Sequence, residues 1–470
     1  MILFIVKDKY QLRDLILNGD LTDDTMDIYD YSDITDFSKL FQGCTYLKEI
    51  PHLKTKHVTD MSYMFDGCKN LKLIPYLETE NVTNMNYMFN KCSSLENIPP
   101  LNTINVVSMS HMFSQCFCLV DSPLLNTQNL VETSYMFSYC NNLIRVNLFD
   151  TSFVYDMEGM FSNCSSLKVL PHFDTSNVTN LASMFKGCSS LRKIPHFDTS
   201  FVTNMNSTFE DCYNLDTIPS LNTHFVTDMS FMFNNCLNLF SIPPLNVKKV
   251  QTANNMFRNC KELEMLPDLE FSSCRSMMGT FMGCSNLKEI PYLYSQKVSI
   301  FDSTFKDCIN LKNISKLDTN SGRNFNETFS GCKKLDIIPE INISCASNLD
   351  GTFKSCENIV ELPKLNTQRV VSMKSTFENC YKLEKMPELQ TNLVDNMESM
   401  FENCISLHTI SYYFVDDIAL THNIFKNCFN LPLSDICLFL ENNGHDQFKR
   451  AIYENMEREE LEELHLNLQR

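Results

Sequence analysis

Cysteine is the residue type with the most chemistry to offer in this chain. Its 470 residues include 21 cysteines, and 17 of them stand 24 residues apart, from Cys44 to Cys428. Thiols in such number could form disulfides, bind zinc or iron, or carry out redox reactions. The spacing argues against all three. A structural zinc site needs four ligands converging on one point, whereas one thiol per 24 residues makes a file. No Cys-x-x-Cys pair occurs, and the nearest approach is Cys116 with Cys118. Neighbours in a file with parallel Cα–Cβ vectors keep their Cβ atoms farther apart than the roughly 3.8 Å a disulfide favours. Free cysteine is among the most buried residue types. The expectation is a ladder of reduced thiols packed in a core.

Other chemistry is thinner. His172 and His196 each follow a proline in successive copies of the pattern, about 5 Å apart if the copies stack, but two imidazoles alone make a weak metal site. There is no Ser/His/Asp arrangement and no phosphate-binding loop, and the whole chain has 11 glycines. No catalytic residue, cofactor or metal is expected. A net charge of −18 with no long Lys/Arg cluster disfavours nucleic acid. It suits solubility or a basic protein partner instead.

A file of residues requires a scaffold that repeats. Phe-x-x-Cys recurs from Phe41 and Cys44 to Phe425 and Cys428, 17 copies with no insertion or deletion. A fixed period of this size marks a solenoid whose units bury their apolar faces only against one another. Within one copy Met61, Met64, Phe65 and Cys68 fall at i, i+3, i+4 and i+7, the spacing of one helix face. The preceding residue is Asp, Asn, Ser or Thr in 14 of 17 copies, which reads as a helix N-cap. Leu71 and Ile74 follow, then Pro75, and these predict a parallel strand of about two or three residues, kept short by the proline. Leu53, Leu77 and Leu101, replaced later by Phe149, Phe173 and Phe197, complete the core with a valine column that begins at Val58. Thr280, Thr304, Thr328, Thr352 and Thr376 take the place of the second Met, and Phe301 and Phe325 enlarge the first. Such an exchange conserves interior volume.

The predicted fold is an α/β solenoid of the leucine-rich-repeat kind. It has 17 coils of 24 residues, each a short helix plus a very short parallel strand, in a rod of roughly 80 Å. On the helical wheel the third position points away from the core. Tyr63, Tyr87, His111 and Tyr135 hold it in four consecutive copies, where later copies mostly have Gly, Ser or Asn. With Phe153, Phe201 and Phe225, in the loop before the helix, they form the candidate partner-binding set, because surface aromatics make binding hot spots.

The copies "TENVTNMNYMFNKCSSLENIP" and "DTSNVTNLASMFKGCSSLRKIP" resemble the BspA-type leucine-rich repeats, whose units read roughly "DTSNVTNMSYMFxGCSSLxxIP". Members of that group are bacterial surface and adhesion proteins, proteins of protist parasites, and phage or other viral proteins. The resemblance implies a non-enzymatic protein-binding scaffold. Residues 1–30 are expected to form a strand–helix cap (Ile2 to Val6, then Lys9 to Leu17, with Gly19 as the stop), residues 31–432 the solenoid, and 433–470 a helical cap. Phe448, Ile452 and Met456 give that last segment an apolar stripe through which a second copy could dock. The N-terminus lacks the basic region, long apolar run and cleavage site of a secretory signal, and no segment has the ~20 apolar residues of a membrane span. The expected setting is cytoplasmic, with a virion or cell surface reached without a signal peptide as the alternative. The expected function is a protein-interaction or structural scaffold. Its rivals are a surface or virion adhesin contacting a host cell, and a thiol-based metal or redox protein.

Overall fold

A computed structural model of the chain describes residues 3–338, 340–385, 388–409, 420 and 422–432. The C-terminal cap read from the sequence, with its proposed docking stripe, lies outside the described residues. The chain forms two compact units, Met1–Asn238 and Leu239–Arg470.

Unit 1 opens with strand β1 (Phe4–Ile5), which pairs in parallel with β2 (Tyr29–Asp30), and helix α1 (Lys9–Leu17) between them. Asp8 caps α1 by accepting from the N–H groups of Tyr10 and Gln11. Gly19 ends it at φ 80°, the left-handed conformation that a glycine C-terminal stop supplies. The buried face of the helix is Leu12 and Ile16. Its opposite charges reach the first coil, where Lys9 Nζ lies 2.7 Å from Asp36 Oδ2.

From there each unit is a stack of 24-residue coils in register. Single-residue parallel bridges run from Asp36 through Asp60, Asn84 and Ser108 to Asp228 in unit 1, and from Thr252 through Ser276 and Ile300 to Leu420 in unit 2. The helix predicted in each coil is absent from the described repeat residues. The backbone N–H groups of Met61, Tyr63, Phe65 and Gly67 do not follow their own chain. They donate to the carbonyls of Asn84, Asn86, Met88 and Asn90 in the next coil, at 3.1, 2.9, 2.9 and 2.8 Å. The alternate N–H groups of Met64, Asp66 and Cys68 close tight turns on Met61, Tyr63 and Phe65, at 3.2, 3.1 and 3.0 Å. An α-helix would need every one of them bonded four residues back. Two residues per coil are left-handed, such as Tyr63 at φ 58° and Gly67 at 77°. That is what the third place of a type II turn requires. The Asp, Asn, Ser or Thr read as a helix cap starts an Asx turn instead, with Asp60 Oδ1 accepting from Ser62 N–H at 2.7 Å. The inward residues at 61, 64, 65 and 68 are common to a helix and to this ribbon of turns, which is why the spacing misled.

The strands also move. Beside the proline column only β3 (Glu289–Ile290) with β4 (Asn313–Ile314), and the bridges Asp121–Arg145–Val169, Leu269–Leu293–Leu317 and Lys385–Thr409, pair among the described residues. The regular ladder passes through the position of Asp60, just ahead of the turns.

The core columns are where the sequence put them. Met61, Met64, Phe65, Cys68, Leu71, Leu77 and Val82 are fully buried. The Phe rings of successive coils lie nearly parallel, with centroids 5.5 Å apart for Phe41–Phe65 and 5.6 Å for Phe257–Phe281. Where Thr replaces Met, its hydroxyl turns to the backbone: Thr304 Oγ1 lies 2.7 Å from the Phe301 carbonyl and 3.0 Å from that of Met277. Phe325 repays the lost volume. Its ring occupies the space that a side chain at position 322 would need, and Gly322 stands there in place of the usual valine.

Candidate functional site

The thiol column is an ordered ladder. Cys68 Sγ donates to the Phe41 carbonyl at 3.1 Å, Cys92 to Phe65 at 3.1 Å, Cys164 to Phe137 at 3.0 Å and Cys284 to Phe257 at 3.0 Å, each bond joining one coil to the one before. Burial pushes the thiols of Cys68 and Cys140 up to about 12. The thiolate is the form that attacks, oxidises or ligates, and this environment opposes it. Outside the column Cys274 is buried, Cys118 half-buried and Cys345 exposed. Among the described residues no group of three His, Cys, Asp or Glu side chains is placed to hold a metal ion. His172 and His196 are exposed on the side of the proline column.

The aromatic set divides in two. Tyr63, Tyr87, His111 and Tyr135 occupy the first left-handed position of four successive coils, with φ between 55° and 60°. The helical wheel that first turned them outward does not apply, yet they do stand on the outer side of the ribbon, half-buried against one another. Their rings form one continuous stack, with centroids 4.5, 4.4 and 4.9 Å apart and planes within 11°. Lys39 Nζ lies 5.5 Å above the Tyr63 ring at one end. At the other end the Tyr135 hydroxyl donates to Glu158 Oε1 at 2.6 Å. The Tyr135 ring lies against Gly159, where a Cβ atom would collide with it. Burial raises the Tyr87 and Tyr135 hydroxyl pKa values, Glu158 adding to the rise at Tyr135, and burial lowers that of His111. At neutral pH the stack is an uncharged aromatic slab with fixed spacing.

Phe153, Phe201 and Phe225 lie in a different column, six residues ahead of the stack, and are 62%, 60% and 45% exposed. Asparagine holds this position in other coils and ties them together: the Nδ2 groups of Asn81, Asn105 and Asn177 donate to the carbonyls of Lys56, Glu80 and Ser152 at 2.7 Å. Each Phe gives up that bond and offers a ring to solvent. Sequence reasoning missed the companions of these rings, Val107, Val131 and Tyr155, which lie just past the buried valine position. The available sign was the alternation around that position, since residues on either side of an inward side chain in extended backbone point out.

Comparison with known proteins follows the repeat. The profile of the family described as "Mycoplasma protein of unknown function, DUF285" matches residues 35–145, 132–239, 155–271, 190–294, 275–380 and 347–455. No curated protein sequence matches the chain. Among solved structures, it is similar to a leucine-rich repeat protein from Bacteroides ovatus ATCC 8483, at 16% identity and a TM-score of 0.32, over 86% of this chain and 82% of that one. A leucine-rich cell surface protein from Faecalibacterium prausnitzii A2-165 matches at 20% identity and a TM-score of 0.27, over 66% and 83%. The functional domain of InlJ from Listeria monocytogenes, described as including a cysteine ladder, matches at 12% identity and a TM-score of 0.20, over 74% and 64%.

Proposed function

We propose that this chain, which belongs to the DUF285 family, is a non-enzymatic protein-interaction scaffold: a BspA-type leucine-rich-repeat solenoid, capped at 1–30 and 433–470, that presents side chains in register. The observation that carries this reading is the stack of Tyr63, Tyr87, His111 and Tyr135, whose rings are held at spacings of 4.4 to 4.9 Å. Aromatic side chains fixed in advance lose little freedom on binding and make strong anchors. The residue chemistry elsewhere favours the same reading, because the column thiols are buried, and burial holds those of Cys68 and Cys140 protonated.

Capture of partners from native lysate on the full chain, with identification by mass spectrometry, tests it. Tyr87→Ala is expected to weaken capture of at least one partner by about 1–2 kcal/mol, while Ser303→Ala, at the same position of a later coil, changes nothing. A folded Tyr87→Ala protein that keeps every partner at full affinity refutes the stack as a binding site. A second reading sets the same scaffold on the outside of a cell or particle as an adhesin, the surface location being the one stated for the Faecalibacterium protein. Cleavage of the chain by protease added to intact cells or particles supports that reading, and complete protection excludes it.

A further inference from the structure

The two units use the same outward positions for opposite chemistry. In unit 1 the residues flanking the buried valine position include, among Asn and Thr, the exposed apolar and aromatic Val107, Phe153, Tyr155, Phe201 and Phe225, all 45% exposed or more. In unit 2 the residues flanking Val250, Cys274, Val298 and Gly322 include Lys249, Arg275, Lys297 and Arg323, one cation in each of four consecutive coils, all exposed. Charge around them follows suit. Segments 102–108, 126–132, 150–156, 174–180, 198–204 and 222–228 hold six carboxylates and no lysine or arginine. Their counterparts in unit 2, 246–252, 270–276, 294–300 and 318–324, hold five cations against two carboxylates, and one of those, Glu270, is already paired with Lys248 at 2.8 Å. The spacing matches as well. Phe153 and Phe201 are two coils apart, as are Lys249 and Lys297, and Arg275 and Arg323, which sets all three pairs at about 10 Å.

We propose that this aromatic, acidic face of unit 1 docks on the basic face of unit 2 of a second copy of the chain. Guanidinium and ammonium groups bind the faces of Phe and Tyr rings, and the flanking carboxylates of unit 1 answer the remaining positive charge. Two unit 1 faces would oppose carboxylate to carboxylate, and two unit 2 faces cation to cation, so the charge pattern selects the crossed pairing. Each copy carries both halves of the contact, as a self-complementary assembly requires. This contact is separate from the Tyr63–Tyr135 stack, and its failure leaves the reading of that stack as a partner site standing.

Sedimentation velocity on the full chain is the test, at low and high salt and over a range of concentrations. The wild type is expected to self-associate in the micromolar range at low salt and to dissociate as salt screens the charges. One variant, Arg275→Glu with Arg323→Glu, and another, Phe201→Lys with Phe225→Lys, are each expected to raise the dissociation constant at least tenfold, with circular dichroism unchanged at these exposed positions. An equimolar mixture of the two variants is expected to associate again, because the intact unit 1 of the first meets the intact unit 2 of the second and the two reversed faces also match. A wild type that stays monomeric throughout, or folded variants that fail to associate when mixed, overturns the proposal. Monomeric wild type that binds an arginine-rich peptide through Phe201 and Phe225 overturns it in favour of a basic partner.

Discussion

A thiol that donates to a carbonyl in a dry interior keeps its proton far into alkali. The values near 12 for Cys68, Cys140, Cys380 and Cys428 lie above the ordinary 9 of a free thiol. The folded chain therefore holds protons that the unfolded chain sheds, and the stability tied to them is intact below about pH 9 and lost as the pH climbs toward 12. Each such thiol steepens the loss by about 1.4 kcal/mol per pH unit. The urea midpoint is expected to fall sharply above about pH 9, and a Cys140→Ala variant, less stable at neutral pH, is expected to fall less steeply. A midpoint that stays flat across that range means that the column is not protonated as described. The same chemistry makes nearly all of the thiols countable by a labelling reagent in denaturant without reductant, and protected from it in the folded state.

At the scale of the element, the core was legible in the sequence and the conformation was not. The columns of Phe65, Cys68 and Leu71 announce themselves by period alone, and α1 could be read as Lys9 to Leu17 with Gly19 as its stop. The ribbon of turns could not be read from the spacing of Met61, Met64, Phe65 and Cys68, because a helix buries the same four positions. The discriminating residues were the outward ones. The seventh position holds Gly67, Asn163, Gly187, Asp211 and Asn235 in different coils, the residues that tolerate positive φ, and a helix interior has no reason to prefer them. The stack of rings was half legible: its residues were visible as outward aromatics, but their fixed ring-to-ring spacing depends on the coil-to-coil hydrogen bonds. Lys91 decides between the two conformations. It is exposed and left-handed, at φ 60°. Lys91→Gly is expected to leave stability unchanged or raise it by up to ~1 kcal/mol, since glycine adopts that φ without penalty. In a helix the same change would cost about 1 kcal/mol. Chemical denaturation of the two proteins gives the sign.

At the scale of the whole molecule, the backbone hydrogen bonds between coils join each coil, among the described residues, to those before and after it, so damage stays local. Phe185 is fully buried, with its ring 5.9 Å from that of Phe161 and 5.8 Å from that of Phe209. Phe185→Ala is expected to cost roughly 3–5 kcal/mol, appearing as a separate early transition in calorimetry rather than as a lower single midpoint. A loss under about 1 kcal/mol would contradict its place in the core. The hydrogen bonds between coils have a further consequence. Between the coils of Met61 and Met85 four N–H groups point forward along the sequence, while those of Thr83 and Ser94 point back, to Thr59 and Lys69. Unit 2 repeats the forward set, as in Met277 to Ile300, Gly279 to Asp302, Phe281 to Thr304 and Gly283 to Lys306. The peptide dipoles of a stack therefore add along its axis, with the negative pole at its first coil and the positive pole at its last, the reverse of an α-helix. Lys9 and Arg13 of α1 bring cations to that first coil, on Asp36 and near Cys44. A stack of this kind is an electrically directional object, whose two ends call for opposite charges.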